Sequence, residues 1–165
     1  RAGRAARLLC DNVTQTDLPL AAHDATEKAL HRLPDGRLVD SVLMHYPARG
    51  ERRERNTLCI SSQAGCAVGC PFCATGELGF ERDLDVAEIV DQVRHARRRL
   101  VSRGRHLTNL VFMGMGEPLL NPDAGIGAAR GPTAADRFGA GARHLTISTS
   151  GAVPGIQRQT RASPQ

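Results

Sequence analysis

Three cysteines on one short stretch carry the clearest chemical signal in the sequence. Cys66, Cys70 and Cys73 form a C-x3-C-x2-C triplet. Three thiolates on one loop can hold three irons of a 4Fe-4S cube and leave the fourth iron without a protein ligand. An iron with an open position can bind a substrate or a cofactor. The spacing therefore predicts chemistry at the cluster rather than electron storage alone.

A fourth cysteine close by keeps a structural zinc site open as an alternative. Cys59 precedes the triplet, so that four of the five cysteines fall within fifteen residues. Zinc sites more often use two closely spaced pairs separated by a longer loop, which this spacing does not match. Cys59 itself is interpreted either as a buried free thiol or as a catalytic thiol at the mouth of the site.

The composition indicates a single domain with a net positive charge, in a compartment where cysteines stay reduced. The chain has 165 residues, five cysteines and a net charge of +5. An odd, clustered cysteine count without a secretion signal favours metal binding in the cytoplasm, and no apolar run is long enough for a membrane span. Lys28 is the only lysine, so nearly all positive charge is arginine. Arginine side chains suit the recognition of RNA phosphates, so the charge permits an RNA partner. A GC-rich genome, which encodes arginine in place of lysine, explains the charge equally well.

A hairpin is the first element that the pattern predicts. Two strands over 27–33 and 37–46 flank the turn Pro34-Asp35-Gly36. Alternation places Asp40 on one face of the second strand, in a row that is otherwise apolar: Leu38, Val42, Met44 and Tyr46. This acid either lies near solvent at a strand end or belongs to a site.

The later elements predict a parallel α/β sheet. A strand over 57–61 feeds the cysteine loop, and a helix over 86–102 starts at the capping box of Asp85 and Glu88. Its arginines, Arg97, Arg98 and Arg99, are read as a solvated face rather than an RNA contact. Strands over 106–113 and 143–149 follow, joined by a glycine-rich crossover. Sites in such sheets lie at the carboxyl ends of the strands.

Two of these strand ends carry further candidate ligands. Gly116 and Glu117 follow the strand over 106–113, where a glycine turn lets the backbone approach a ligand and the carboxylate can bind an amino group. A generic strand-to-helix turn is the alternative interpretation. Ser148 and Thr149 end the last strand, and either bind a ligand or cap the next helix.

Long blocks of the sequence resemble radical S-adenosylmethionine enzymes of the RlmN/Cfr family. The similarity extends over roughly residues 27–157. It is carried by the blocks 57–66, 71–80, 109–121 and 146–154, which contain the cysteine triplet, the Gly-Met-Gly-Glu-Pro turn and the Thr-Ile-Ser-Thr-Ser-Gly turn. The resemblance implies an α/β fold, a partial (β/α)6 barrel of which about the first three βα units are present, preceded by the β-hairpin.

The resemblance also implies roles for the candidate residues. Cys66, Cys70 and Cys73 would hold a 4Fe-4S cluster, and S-adenosylmethionine would chelate its open iron through amino and carboxylate groups. Cofactor contacts would come from Gly116, Glu117 and Ser148. Asp40 matches a proton-accepting glutamate and is one methylene shorter. Cys59 matches a cysteine that releases the product by forming a disulfide.

The implied reaction is methylation of adenine carbon 2 in 23S rRNA and tRNA, with flavodoxin or ferredoxin as electron donor. Carbon-8 methylation of the Cfr type is the alternative, and a four-cysteine zinc or RNA-binding module without catalysis is a third. The family's methyl-carrying cysteine would lie far beyond Ser148, yet no cysteine follows Cys73. We therefore expect a truncated chain that transfers no methyl group alone. A half barrel with open strand edges should also be marginally stable.

These observations divide the chain into four parts. We expect a weakly ordered lead-in over 1–25, a hairpin and charged loop over 26–56, the N-terminal half of the radical S-adenosylmethionine core over 57–157, and a polar tail over 158–165.

Overall fold

The structure, a computed structural model, describes residues 14–18, 26–130 and 142–162. The strands are β1 Thr14–Leu18, β2 Thr26–Arg32, β3 Leu38–Tyr46, β4 Arg55–Ile60, β5 Gln63–Gly65, β6 Phe80–Asp83, β7 Asn109–Phe112 and β8 Leu145–Ile147. The α-helices are α1 Ala74–Glu77, α2 Val86–Val101, α3 Pro122–Arg130 and α4 Val153–Ala162. Short 3-10 helices cover Pro118–Leu120 and Ala142–His144.

Six of the strands form one mixed sheet in the order β1-β2-β3-β4-β7-β8. The first four are antiparallel neighbours, and β4, β7 and β8 run parallel. Strands β5 and β6 form a separate antiparallel pair between β4 and α2. The predicted α/β class, with a hairpin preceding parallel strands, is therefore confirmed.

Two elements lie in segments for which the sequence predicted little structure, and a third forms the expected crossover. Strand β1 lies inside the segment predicted as a weakly ordered lead-in, and α4 continues to residue 162, into the predicted polar tail. Strand β1 pairs with β2 through backbone groups, and such pairing leaves little signal in side-chain patterning. Helix α3 supplies the crossover despite its glycines. The rest of the lead-in, residues 131–141 and residues 163–165 lie outside the described residues.

One face of the sheet carries the aliphatic core. Val39, Leu43, Leu58, Ile60, Leu110 and Phe112 are almost fully buried on this side. They share one hydrophobic cluster with the apolar side of α2, formed by Ile89, Val93, Ala96 and Leu100. Burial of these side chains drives the packing of α2 onto the sheet, since each of the larger aliphatic and aromatic ones contributes about 1.5–3 kcal/mol when fully buried.

The opposite face of the sheet is only half-buried. We call it the open face, and its residues are Lys28, Asp40, Val42, Cys59, Val111 and Thr146. Five of them form one row across the strands, because Lys28 pairs with Val42, Val42 with Cys59, Cys59 with Val111, and Val111 with Thr146. The row of Asp40 and its apolar neighbours is thus the less buried side of β3. The core residues are the alternate ones, because α2 covers that side.

Helix α2 begins and ends as its sequence predicts. Asp85 accepts a hydrogen bond from the Glu88 backbone and Glu88 closes the reciprocal bond, so the capping box is present. At the other end the arginine run is not simply solvated. Arg99 forms an ion pair with Glu27 of β2, with 2.7 Å between Nη2 and Oε2. This pair joins the helix end to the hairpin.

A side chain in the middle of α2 hydrogen-bonds the first residue after β4. The buried Gln92 side chain accepts a hydrogen bond from the Ser61 N–H at 2.9 Å and donates one to the Ser61 carbonyl at 3.0 Å. Both backbone groups of Ser61 would otherwise be buried without a partner, which is costly. The amide of Gln92 therefore replaces the strand neighbour that Ser61 lacks.

Gln92→Leu should destabilise the chain by about 2–4 kcal/mol. The substitution keeps the side-chain volume but leaves the buried N–H and carbonyl of Ser61 without hydrogen-bond partners. Urea unfolding followed by circular dichroism measures this loss. Gln157→Leu, at an exposed position of α4, is the matched control and should change stability by less than about 0.5 kcal/mol. Equal effects of the two substitutions would contradict the role of Gln92.

Candidate active site

The cysteine triplet lies on a loop that closes on itself between β5 and β6. The Cys66 N–H donates to the Gly79 carbonyl at 2.9 Å, and the Cys73 N–H donates to the Cys70 carbonyl at 3.0 Å. All three cysteines are free and half-buried. The loop therefore has a defined backbone and presents three thiols on one short segment.

The backbone around Cys73 favours the thiolate, the form that binds metals. The N–H groups of Gly76 and Thr75 hydrogen-bond to its sulfur and lower the pKa of the Cys73 thiol. The loop also packs closely at this point. A Cβ atom on Gly76 would lie 3.0 Å from both the nitrogen and the oxygen of the Cys70 backbone, which leaves little room for a side chain.

These thiols fit an iron-sulfur cluster better than a single metal ion. Nowhere in residues 26–130 or 142–162 do three His, Cys, Asp or Glu side chains group as ligands of one ion. A zinc site would need four ligands converging to about 2.0–2.3 Å from one point. In a cube each thiolate binds a different iron, so the three sulfurs need not converge on one point. The donor set therefore matches a cluster.

The turn after β7 packs directly against the turn after β4. The Ser62 N–H donates to the Met115 carbonyl at 2.8 Å, and the Glu117 N–H donates to Gln63 Oε1 at 2.8 Å. Gly116 has a φ of 98°, and a Cβ there would lie 2.5 Å from the Gln63 Cβ. Glycine is required at this position for both reasons.

The carboxylate of Glu117 joins this turn to the one after β8. It is 4% exposed. It accepts hydrogen bonds from the Leu119 N–H at 3.0 Å, the Ser150 N–H at 2.7 Å and the Ser150 hydroxyl at 2.8 Å. Burial acts to raise the pKa of Glu117, but these bonds outweigh it and the pKa is lowered. Ser148 lies nearby in sequence, is exposed, and donates its N–H to the Phe112 carbonyl at 3.2 Å.

Asp40 and Cys59 lie together on the open face. Asp40 forms an ion pair with Lys28, with 2.5 Å between Oδ2 and Nζ. Its carbonyl accepts a hydrogen bond from the Ser61 hydroxyl at 2.7 Å. Burial raises the pKa of the Cys59 thiol, and the Asp40 carboxylate raises it further, while an N–H from Met113 acts in the opposite direction. Cys59 is therefore mostly a protonated thiol at neutral pH.

Several residues that organise the site were not predicted from the sequence. Asn121 donates its amide hydrogens to the Ser62 carbonyl at 2.9 Å and the Leu84 carbonyl at 2.8 Å. Ser150 holds Glu117, and Lys28 holds Asp40. Only Lys28 left a signal, because it is the single lysine among 22 basic residues.

Comparison with known proteins identifies enzymes that are similar to this chain. The family model described as the Radical SAM superfamily matches residues 60–160. The dual-specificity RNA methyltransferase RlmN of Halorhodospira halophila is 52% identical over 142 residues, which cover 86% of this chain and 37% of that protein. The ribosomal RNA large subunit methyltransferase N of Nitrosopumilus maritimus is 51% identical over 134 residues, covering 81% and 38%.

A solved structure agrees with these sequence relatives. A radical SAM methyltransferase from Sphaerobacter thermophilus superposes with a TM-score of 0.83 at 43% sequence identity, covering 97% of this chain and 45% of that one. The chain belongs to the radical SAM superfamily. An RlmN-named protein of Corynebacterium efficiens, 44% identical over 176 residues, is matched over 92% of this chain and 46% of its own length. This chain thus spans less than half of these relatives.

The family implies a 4Fe-4S cluster and S-adenosylmethionine, and the three thiols described above fit the cluster. The roles of Asp40, Cys59, Gly116, Glu117 and Ser148 in that chemistry stay predictions, although the structure places Asp40 beside Cys59 and Glu117 against Ser150. Among the helices described, none is long and apolar enough to cross a membrane.

Glu117→Gln tests the electrostatic role of this carboxylate. Because the folded pKa lies below its ordinary value of 4.5, its stabilisation is present above that pH and is lost as the pH falls through the folded value. The variant should lose about 1.5–3 kcal/mol at pH 7 and show a weaker loss of stability in acid. Urea unfolding between pH 3 and 7 measures both.

The matched control is Asp123→Asn, because Asp123 is an exposed acid whose partner, Arg158, is also on the surface. It should change neither the stability at pH 7 nor its acid dependence appreciably. Parallel pH curves for Glu117→Gln and the unaltered chain would show that the Glu117 charge is not stabilising.

Proposed function

We propose that this chain carries the cluster and cofactor site of an RNA methyltransferase that modifies carbon 2 of adenine in 23S rRNA and tRNA. The observation that carries the proposal is the joining of three strand-end loops, in which Gln63 binds the Glu117 backbone and Glu117 binds Ser150. The named relatives support the RNA substrate, and they are RlmN-type proteins, which favours carbon 2 over carbon 8.

In this proposal the loops divide the binding work. The thiolates of Cys66, Cys70 and Cys73 hold the cluster, and the turn of Gly116 and Glu117, with Ser148, binds S-adenosylmethionine. When bound, the two groups together supply one-electron cleavage of the cofactor. Glu117 is already oriented for an amino group, because Ser150 and Leu119 hold its carboxylate in one position.

The open face supplies the proton chemistry in this proposal. Asp40 accepts a proton from the adenine carbon, and Cys59 would release the product by forming a disulfide with a methyl-carrying cysteine, a residue that is not among the five cysteines of this sequence. A neutral thiol at Cys59 suits this role, because the protonated form is a poor nucleophile and stays unreactive until its proton is removed. We place the protein in the cytoplasm, with a small electron carrier such as flavodoxin or ferredoxin as reductant.

Anaerobic reconstitution with iron and sulfide tests the cluster. The chain should bind about four irons with a broad absorption in the blue region. Cys66→Ala should abolish or strongly reduce this, whereas Cys59→Ala, the matched control, should retain the iron content of the unaltered chain. Stoichiometric zinc that is bound in preference to iron, and lost in Cys59→Ala, would replace the proposal by the four-cysteine zinc module.

A basic cleft at the other end of the parallel strands supports an RNA partner. The cleft has a volume of about 230 Å³ and is lined by Arg53, Glu54, Asn56, Gly104, Arg105, His106 and Thr108. Arg105 lies 3.6 Å from Glu54, which is longer than a hydrogen bond, so its guanidinium keeps donors for another acceptor. Phosphate oxygens are the acceptors that such guanidinium groups match best.

The double variant Arg53→Gln, Arg105→Gln should weaken binding of a 23S rRNA hairpin measured by fluorescence anisotropy. The slope of log K against log salt should fall by about 1–2, because up to two phosphate contacts are lost. Arg158→Gln, an exposed arginine of α4 paired with Asp123, serves as the control and should leave the slope unchanged. An unchanged slope in the double variant would exclude the cleft as a phosphate contact.

A further inference from the structure

We propose that Lys28 is a positioning residue of this site, which holds one oxygen of the Asp40 carboxylate and leaves the other free to accept a proton beside Cys59. The inference rests on the function proposed above, and it adds a residue that the cysteine and glycine motifs do not contain.

The ion pair spans two neighbouring strands on the open face. Lys28 of β2 pairs in register with Val42 of β3, and Asp40 pairs with Leu30, so Lys28 and Asp40 are diagonal neighbours on one face. The side chain of Lys28 is long enough to span the distance between such diagonal neighbours. Its Nζ lies 2.5 Å from Asp40 Oδ2, with the two side chains 34% and 21% exposed. The pair is therefore partly shielded from water.

The same row leads directly to the thiol. Val42 pairs with Cys59 across β3 and β4, which places Asp40 diagonal to Cys59 as it is diagonal to Lys28. The carboxylate lies close enough for its charge to act on the Cys59 sulfur. Its backbone is held as well, because the Ser61 hydroxyl donates to the Asp40 carbonyl. Lys28 thus fixes the side chain, while Ser61 fixes the main chain.

The choice of lysine matters in this chain. Elsewhere acids pair with arginine: Arg82 binds both oxygens of Glu88, at 2.8 Å each, and Arg103 likewise contacts both oxygens of Glu27. A guanidinium fork occupies a carboxylate bidentately, whereas an ammonium acts as a point charge. Within the described residues no hydrogen bond reaches Asp40 Oδ1, so this oxygen remains available as an acceptor.

The remaining groups around Cys59 carry little competing charge. Strands β7 and β8 contribute Asn109, Val111 and Thr146 to this side of the sheet, and all three are uncharged. On β4 itself, Arg55 lies four residues before Cys59 on the same face, and its guanidinium stacks over Tyr46 at 5.2 Å from the ring centroid. Asp40, which is paired with Lys28, is therefore the charged group on this face whose effect on the thiol is resolved.

The test is the pH dependence of Cys59 alkylation in the 165-residue chain, which requires neither cluster nor RNA. Iodoacetamide labelling between pH 7 and 10, read by mass spectrometry of the Cys59 peptide, separates this cysteine from the triplet. Lys28→Met should move the labelling profile to higher pH and slow labelling at pH 8 by about two- to fivefold, because the Asp40 charge is no longer offset. Lys28→Arg should return the profile to that of the unaltered chain, because labelling reports the positive charge beside Asp40 and not which carboxylate oxygen is bound.

A double-mutant cycle separates positioning from a direct or merely structural effect. Asp40→Asn should move the profile to lower pH, and Lys28→Met should have a clearly smaller effect in that background. Arg103→Met, which removes an ion pair on the opposite side of β2, is the matched control and should leave the profile unchanged. An equal effect of Lys28→Met with and without the Asp40 carboxylate, or no effect at all, overturns the inference.

These outcomes are distinct from failure of the proposed function. A chain that assembles a cluster but whose Cys59 profile ignores Lys28 retains the proposed function and loses only this inference. A chain that binds zinc at its four cysteines loses the proposed function, and with it the catalytic reason for the pair.

Discussion

The loops at the carboxyl end of the parallel strands depend on the hydrogen bonds that the backbone makes where β4 ends. Residues 61 and 62 are buried between β4 and β5, where they have no partners in a strand ladder. Side chains and loops from elsewhere replace those partners: Gln92 binds both backbone groups of Ser61, the Met115 carbonyl accepts from Ser62, and Asn121 donates to the Ser62 carbonyl. The cysteine loop starts from this point, so its position follows from these bonds.

A second set of polar contacts holds the hairpin to the strand that returns from the cysteine loop. Arg82 on β6 binds Glu88, the capping residue of α2, and also Asp35 in the hairpin turn at 2.5 Å. The hydrogen bond from Arg82 lowers the pKa of Asp35. The guanidinium of Arg82 therefore connects β6 to the hairpin turn and to the start of α2. A lysine would not bind both acids in this geometry, because it lacks the planar set of donors.

The two sides of the sheet differ in burial and in the kinds of side chain they carry, because only one side is covered by α2. On the covered side, aliphatic side chains interlock and exclude water. On the open face, charged and thiol groups stay half-buried, so the Asp40 carboxylate acts on Cys59 through a medium in which its effect is stronger than it would be in bulk water. Reactivity on this face is controlled by pairing, as the contact of Lys28 with Asp40 illustrates.

The sequence by itself determined the local features of this protein: the cysteine spacing, the Pro34-Asp35-Gly36 turn, the capping box of α2 and the parallel strand order. These depend on neighbours within a few positions, so they are readable from types and spacing. Only the tertiary structure decided which side of β3 is buried, that β1 joins the sheet, and that Lys28 meets Asp40 and Ser150 meets Glu117. Those outcomes depend on register and packing between distant segments. An alternating strand sequence does not say which of its two faces will be covered by a helix, and a charged side chain has many possible partners.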